Sequence, residues 1–173
     1  IAPLDFDQRH KISAIVDWRA EKGKGIQIGG VKPFENAGVN LVFNAGSGKA
    51  YTPAVIANQI TLANYGPRPA GPINSSYGPW TMRVDLKANK VFSLKRLELD
   101  FYVWVLNVFD RDNAISVYET SGLPDNTNWL STPEGQQFIQ NNTGRSKYTG
   151  LTGEEEYDLA QKDPSNYDIP RMI

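Results

Sequence analysis

The sequence predicts an all-β protein built on an antiparallel, up-and-down sheet. Four long segments alternate between apolar and polar residues, unequal Gly- and Pro-rich connections separate them, and only two short stretches carry helix start and stop signals. With 173 residues, 40% of them hydrophobic, the chain has enough apolar material for one domain or for part of a larger one. We therefore treat residues 1–173 as belonging to one β domain.

The first two strands are predicted near residues 9–19 and 38–48. In the first strand, Ile15 is the one large apolar residue out of phase with the alternation. The residues expected on the shared apolar face are Ile12, Ala14, Val16 and Trp18 in the first strand, and Val39, Leu41, Phe43 and Ala45 in the second.

The third and fourth strands are predicted near residues 80–92 and 97–119. In the third, an apolar set that includes Met82, Val84 and Leu86 alternates with strongly polar residues. A tight turn at "DRDN" would place a short connection on the edge of the sheet that otherwise carries long ones. We therefore expect a bulge near Asp110 and Asp112 that bends the fourth strand without ending it.

The long segment 120–167 is predicted to be a loop with two short helices. Thr132 and Thr152 have the N-cap chemistry for helices near 133–140 and 153–161, and Pro133 suits the first turn of the earlier one. Apolar-polar alternation resumes at 168–173, where we expect the start of a last strand. From the pattern at its two ends, we expect the sequence to be a segment of a longer chain.

Strand length and the placement of aromatic residues favour a transmembrane β-barrel. A tilted strand crosses a bilayer in about 9–11 residues, which the first, third and fourth segments reach. Aromatic residues fall near strand ends, and long loops on one edge oppose short turns on the other, as in outer-membrane barrels. A soluble β-sandwich would also alternate, so both architectures stay open. The aromatic residues are Trp18, Trp80, Phe92 and Phe109.

The order of four segments resembles the C-terminal barrel strands of TonB-dependent outer-membrane receptors. These segments are "FDQRHKISAIVDWR", "GVNLVFNAGSGKAYTP", "NSSYGPWTMRVDLKANKVF" and "LELDFYVWVLNVFDRDNAISVYETSGLPDN". The resemblance covers residues 5–125 and resumes at "DPSNYDIPRMI", similar to the entry to the family's final strand. It implies a partial barrel without the plug domain and the TonB box.

The resemblance also implies a function. Such a receptor imports a scarce solute, for example a metal chelate, vitamin, glycan or peptide, across the bacterial outer membrane. Its expected partners are outer-membrane lipid, the small-molecule or oligomeric solute, and the TonB complex acting through the missing plug region. The alternative is a soluble β-sandwich carbohydrate-binding module that stacks sugars on Trp and Tyr.

Two groups of residues are candidates for a functional role. The polar side of the third strand should face a wet lumen, and its candidate residues are Arg83, Asp85, Lys87 and Asn89. On the fourth strand, Tyr102 and Trp104 are candidate contacts for a ligand or for the plug. Trp129 is a further candidate for contact with a ligand, although loops of this composition are common without such a role.

The sequence predicts no catalytic, cofactor or metal site, and the protein is not expected to be an enzyme. His10 is the sole histidine and there is no cysteine. Asp110, Asp112 and Asn113 lack the Gly and distal Glu of a calcium loop, and "GSGK" (46–49) lacks the remainder of a phosphate-binding loop. A net charge of −1 without a basic cluster makes nucleic acid an unsuitable partner.

Overall fold

The structure, a computed structural model, describes residues 2–56 and 68–173 and is mostly antiparallel β. A four-stranded sheet has the order β1-β2-β7-β8, and two short pairs join β3 to β6 and β4 to β5. The strands are β1 (Lys11–Ala20), β2 (Ala37–Gly46), β3 (Ala50–Tyr51), β4 (Ala54–Val55), β5 (Arg68–Pro69), β6 (Ser76–Tyr77), β7 (Thr81–Leu94) and β8 (Leu97–Val105).

The chain divides into two compact units, each described here by itself. The sheet unit comprises Lys11–Gly46, Met82–Asp112 and Ile169–Ile173. The loop unit comprises Ile1–His10, Ser47–Thr81 and Asn113–Asp168.

The sheet pairs its apolar residues with one another across neighbouring strands. Between β1 and β2, Val16 lies opposite Leu41 and Trp18 opposite Val39. Between β7 and β8, Ala88 lies opposite Val103 in the same way. Because side chains directly opposite each other lie on one face of an antiparallel pair, this register puts the alternating apolar residues together on one face. We call this the apolar face, and the opposite one the polar face.

Three of the four predicted strands and their order in the sheet are confirmed. The predicted ranges 9–19, 38–48 and 80–92 correspond to β1, β2 and β7. Within the predicted connection between the second and third strands, the short pairs β3–β6 and β4–β5 were not expected, and residues 57–67 lie outside the described part.

The prediction of a continuous strand over 97–119 is wrong, because β8 ends at Val105. Asn107 and Asp110 adopt left-handed backbone conformations, with φ of 52° and 51°, which an extended strand does not permit. The Asn107 side chain closes the turn by donating to the Arg111 carbonyl at 3.0 Å and accepting from its amide at 3.2 Å. Beyond the turn, Ala114 makes only an isolated bridge, to Tyr167.

The last segment is partly as predicted. Leu106 and Met172 form an antiparallel bridge, with N···O distances of 2.8 and 3.2 Å. The end of the chain therefore pairs beside the fourth strand at the expected place, but residues 168–173 do not form a regular strand.

Both helices predicted in the loop unit are confirmed, at Pro133–Asn141 and Gly153–Ala160. The Thr132 hydroxyl accepts from the Gly135 amide at 3.1 Å and caps the first helix. Thr152 and Glu155 form a reciprocal capping box at the start of the second. An aromatic cluster links the two helices, with the Trp129 ring centroid 5.5 Å from Phe138 and 4.9 Å from Tyr157.

The distribution of buried residues is unusual for a β domain. Within residues 2–56 and 68–173, every buried hydrophobic residue is an alanine, whereas the buried polar residues include Asp85, Asn107 and Asn113. Most of the large apolar residues of the sheet are exposed, Val16 at 62% and Phe101 at 61% among them, and others such as Phe43 and Leu86 are half-buried. Its apolar face is therefore not covered within the described chain.

No helix in the described ranges has the length and apolar character needed to cross a membrane.

Candidate functional site: the polar face of the sheet

The polar face of the sheet unit carries a shallow, open groove to which all four strands contribute. Because side chains alternate along each strand, the polar positions left by the apolar register come together here. The side chains that line the groove are Asp17, Arg19, Asn40, Lys87, Asn89, Asp100 and Tyr102, together with Gly38 and Val39.

On β1 and β2, the Asp17 carboxylate accepts hydrogen bonds from two neighbouring side chains of the groove. Arg19 Nε donates to its Oδ1 at 2.9 Å, and Asn40 Nδ2 donates to its Oδ2 at 3.0 Å. Asn40 lies directly opposite Asp17 in the register, so the amide reaches the carboxylate across the strands. Each carboxylate oxygen therefore has a partner, and this part of the groove carries a solvent-exposed ion pair with an added amide hydrogen bond.

On β7 and β8, polar and aromatic side chains stand side by side. Asn89 Nδ2 donates to Asp100 Oδ1 at 3.3 Å, and the Lys87 ammonium lies 5.7 Å from the centre of the Tyr102 ring, within cation–π range. Trp104 lies directly opposite Lys87 on the same face. Tyr102 is 67% exposed and Trp104 is 54% exposed, so both rings are open to a ligand or to another protein surface.

Gly38 leaves room for the Asn89 side chain at the centre of this groove. A Cβ atom at this position would lie 2.6 Å from Asn89 Oδ1, which is shorter than any ordinary contact. The absence of a side chain at Gly38 gives the Asn89 amide room to face Asp100.

Toward the start of β7, the half-buried Arg83 pairs with the buried Asp85. Arg83 Nε donates to Asp85 Oδ2 at 3.1 Å, and Asp85 Oδ1 accepts from the backbone amide of Asn107 at 2.9 Å. Asp85 is only 9% exposed and Asn107 is 2% exposed. Asp85 therefore holds the turn after β8 in place, whereas the groove at Lys87 and Asn89 is open.

The four residues predicted on the polar side of the third strand thus share one face but divide into two groups. Arg83 and Asp85 form an ion pair in which only Asp85 is buried, and Lys87 and Asn89 line the open groove. Tyr102 and Trp104 lie on the same face, as the alternation predicts. Sequence reasoning did not select Asp17, Arg19, Asn40, Asp100 or Asn107, although the first four occupy polar positions of their strands.

The other residues singled out in the sequence have structural contacts. The His10 ring stacks on Trp80 at 6.0 Å, and its backbone amide donates to Ser47 Oγ at 3.1 Å. Asp110 Oδ1 accepts from the Arg171 amide at 2.9 Å. Trp129 lies in the aromatic cluster between the helices, and the "GSGK" segment begins where β2 ends.

The chemistry available in the groove is that of recognition. It combines ammonium, guanidinium, carboxylate and amide groups with the exposed phenol ring of Tyr102, and Trp104 lies on the same face opposite Lys87, which suits a polar solute or a polar protein surface. Among the described residues, no group of three or more His, Asp or Glu side chains is placed to hold a metal ion.

No protein-family model matches the chain. No curated protein and no solved structure matches it either. The resemblance to TonB-dependent receptors therefore stays a prediction from the sequence.

Proposed function

We propose that this chain is part of the transmembrane β-barrel of a TonB-dependent outer-membrane receptor, which imports a scarce solute with energy supplied through the TonB complex. The observation that carries the proposal is the exposed apolar face of the sheet. In water, that face would have to be covered by a second apolar layer, and in a bilayer it would be covered by lipid chains.

The length of the strands also supports a bilayer environment. The four strands of the sheet contain 10, 10, 14 and 9 residues, and a tilted strand needs about 9–11 residues to cross a bilayer. Trp18 and Phe92 lie near strand ends on the apolar face, where aromatic rings favour the membrane–water boundary.

The polar face supports a wet lumen. Ion pairs and amide–carboxylate hydrogen bonds, as at Asp17 and Asn89, are stable where water or polar protein groups meet the remaining donors and acceptors. In a wide barrel, the lumen holds a plug that makes such polar contacts. Lys87, Asn89, Tyr102 and Trp104 are then the residues of this chain that meet plug or solute.

The alternative, a soluble β-sandwich that binds carbohydrate, also has an observation in its favour. Tyr102 and Trp104 alternate on one strand, face the same side and are largely exposed, which is an arrangement suited to stacking on sugar rings. The sandwich reading, however, leaves the exposed apolar face around Val16 and Phe101 without the second sheet that would cover it.

A fractionation experiment separates the two functions. The intact protein, expressed in a Gram-negative host, should sediment with the outer membrane, resist extraction by alkaline carbonate and leave the membrane only in detergent. Recovery in the aqueous fraction as a monomer would contradict the receptor and support the sandwich.

An uptake experiment then tests transport. Cells with and without TonB are compared for uptake of labelled metal chelates, a vitamin, an oligosaccharide and a peptide. At least one of these solutes should enter only when both the receptor and TonB are present. Uptake of all four that does not depend on the receptor would contradict the transport function.

A further inference from the structure

A second groove lies on the apolar face of the sheet unit, at the end formed by the β7–β8 hairpin and the connection 21–36. Its wall is mostly apolar, because Val31 and Phe34 of the connection line it together with apolar residues of β1, β2 and β7. Its main apolar lining residues are Trp18, Val31, Phe34, Val39, Phe92 and Leu94. A hydrocarbon chain would find apolar contacts along these residues.

Three lysines and a single carboxylate, that of Glu35, also line this groove. Lys90 Nζ donates to the Glu35 carbonyl and lies 5.6 Å from the centre of the Phe92 ring. Lys32 Nζ donates to the Gly23 carbonyl, and Lys22 is exposed. The Glu35 carboxylate accepts from the Gly23 amide at 3.0 Å, so its charge is partly satisfied within the connection. Since an ammonium group has three donors, each lysine retains donors for an anion.

The groove has a charge opposite to that of the whole chain. The ionisable residues that line it are Lys22, Lys32, Lys90 and Glu35, a local charge of +2, whereas the chain has −1.

We propose that this groove binds one anionic phospholipid, with an acyl chain along Trp18 and Phe34 and the phosphate between Lys22 and Lys32. Apolar walls and basic groups within one groove match the two halves of such a lipid. The proposal rests on the proposed function, which places the apolar face in a bilayer.

Native mass spectrometry of the intact protein in a neutral detergent provides the test. Dioleoyl-phosphatidylglycerol and dioleoyl-phosphatidylcholine, which share their acyl chains, are added at equal concentration. We expect at least about tenfold more retained phosphatidylglycerol, and loss of most of that preference in the double variant Lys22→Gln/Lys32→Gln. The control Lys147→Gln/Lys162→Gln removes two exposed lysines of the loop unit and should keep the preference.

A second measurement locates the acyl chain. Phosphatidylglycerol with brominated chains should quench the fluorescence of Trp18, and Trp18→Phe should remove that quenched component. Equal retention of the two lipids, a preference unchanged by the lysine variant, or quenching unchanged by Trp18→Phe would each overturn the site. A dimer peak that disappears with the groove variant would assign the groove to a second copy of the chain and would also overturn it.

Failure of the lipid site differs from failure of the proposed function. A protein that embeds in bilayers but shows no preference for phosphatidylglycerol contradicts the site alone. A protein that retains neither lipid and stays monomeric without detergent contradicts both.

Discussion

The backbone amide of Asn107 donates a hydrogen bond of 2.9 Å to Asp85 Oδ1, so a carboxylate in the middle of β7 fixes the turn that follows β8. A second hydrogen bond joins the neighbouring residues of the same two segments, where the Val108 amide donates to the Val84 carbonyl at 2.8 Å. Asn107 in turn donates to the Ile169 carbonyl at 3.4 Å, which links the turn to the last segment of the sheet unit. The buried Asn107 thus joins β7, the turn after β8 and the last segment of the sheet unit.

The buried Asp85–Asn107 bond predicts different effects for two substitutions at residue 85. Asp85→Ala leaves the Asn107 amide buried without an acceptor and should lower the free energy of unfolding by about 1–3 kcal/mol. Asp85→Asn keeps an acceptor oxygen and should cost less. Chemical denaturation of the intact protein, reconstituted in lipid, measures both. An equal cost for the two substitutions would show that the hydrogen bond does not set the stability of the turn.

We expect a side chain at position 48 to disturb the packing of the loop unit. A Cβ atom added there would lie 2.0 Å from the Gly78 carbonyl oxygen, so Gly48→Ala must move the backbone apart, at about 1–3 kcal/mol. Ala50 and Tyr77 pair next to this contact, and their amides should exchange faster in the variant. Gly144→Ala is the matched control, because no atom lies within 4 Å of the added methyl group. Unchanged exchange in Gly48→Ala would contradict the close approach.

We expect the stability of the second helix, Gly153–Ala160, to depend on pH. The Thr152 amide donates to Glu155 Oε2 at 2.8 Å, and this hydrogen bond, with a smaller contribution from Arg145, lowers the pKa of Glu155 below its ordinary value of 4.5. A lowered pKa in the folded state stabilises the helix above pH 4.5, and this stabilisation is lost as the pH falls through the lowered value. We expect the NMR chemical shifts of 153–160 to move toward coil values in that range.

Glu155→Gln isolates the titration of this one carboxylate. Glutamine can still make the capping box but does not titrate, so the variant should not show the step in the chemical shifts that Glu155 causes. The first helix, capped by the Thr132 hydroxyl, serves as an internal reference. The same titration in Glu155→Gln as in the parent would assign the effect to another group.

The long strands and both helices could be predicted because their signals are local. Alternation set the phase of β1, β2 and β7, and hydroxyl caps with Pro133 marked the helix starts. The end of β8 could not be predicted in the same way. Ile115 and Val117 continue an apolar pattern, but the turn depends on the side chain of Asn107 binding Arg111 and on Asp85 of another strand.

Part of the candidate site was also accessible from the sequence. Strand parity alone placed Lys87, Asn89, Tyr102 and Trp104 on one face, and the register confirms that placement. The partners Asp17 and Asp100 could not be assigned, because they depend on which strands are neighbours and on their register. The burial of Asp85 follows from the turn after β8 and has no local signal.

Two adjacent residues of β1 test the central claim that the apolar face meets lipid. Val16 is 62% exposed on the apolar face, and Ile15 is 68% exposed on the polar face, so both are β-branched, equally accessible and on opposite sides. The measurement is the free energy of unfolding of Val16→Arg and Ile15→Arg, by denaturant titration of the intact protein in bilayers. The account predicts a loss of about 2–4 kcal/mol for Val16→Arg and less than about 1 kcal/mol for Ile15→Arg. Equal tolerance of arginine at the two positions would contradict it.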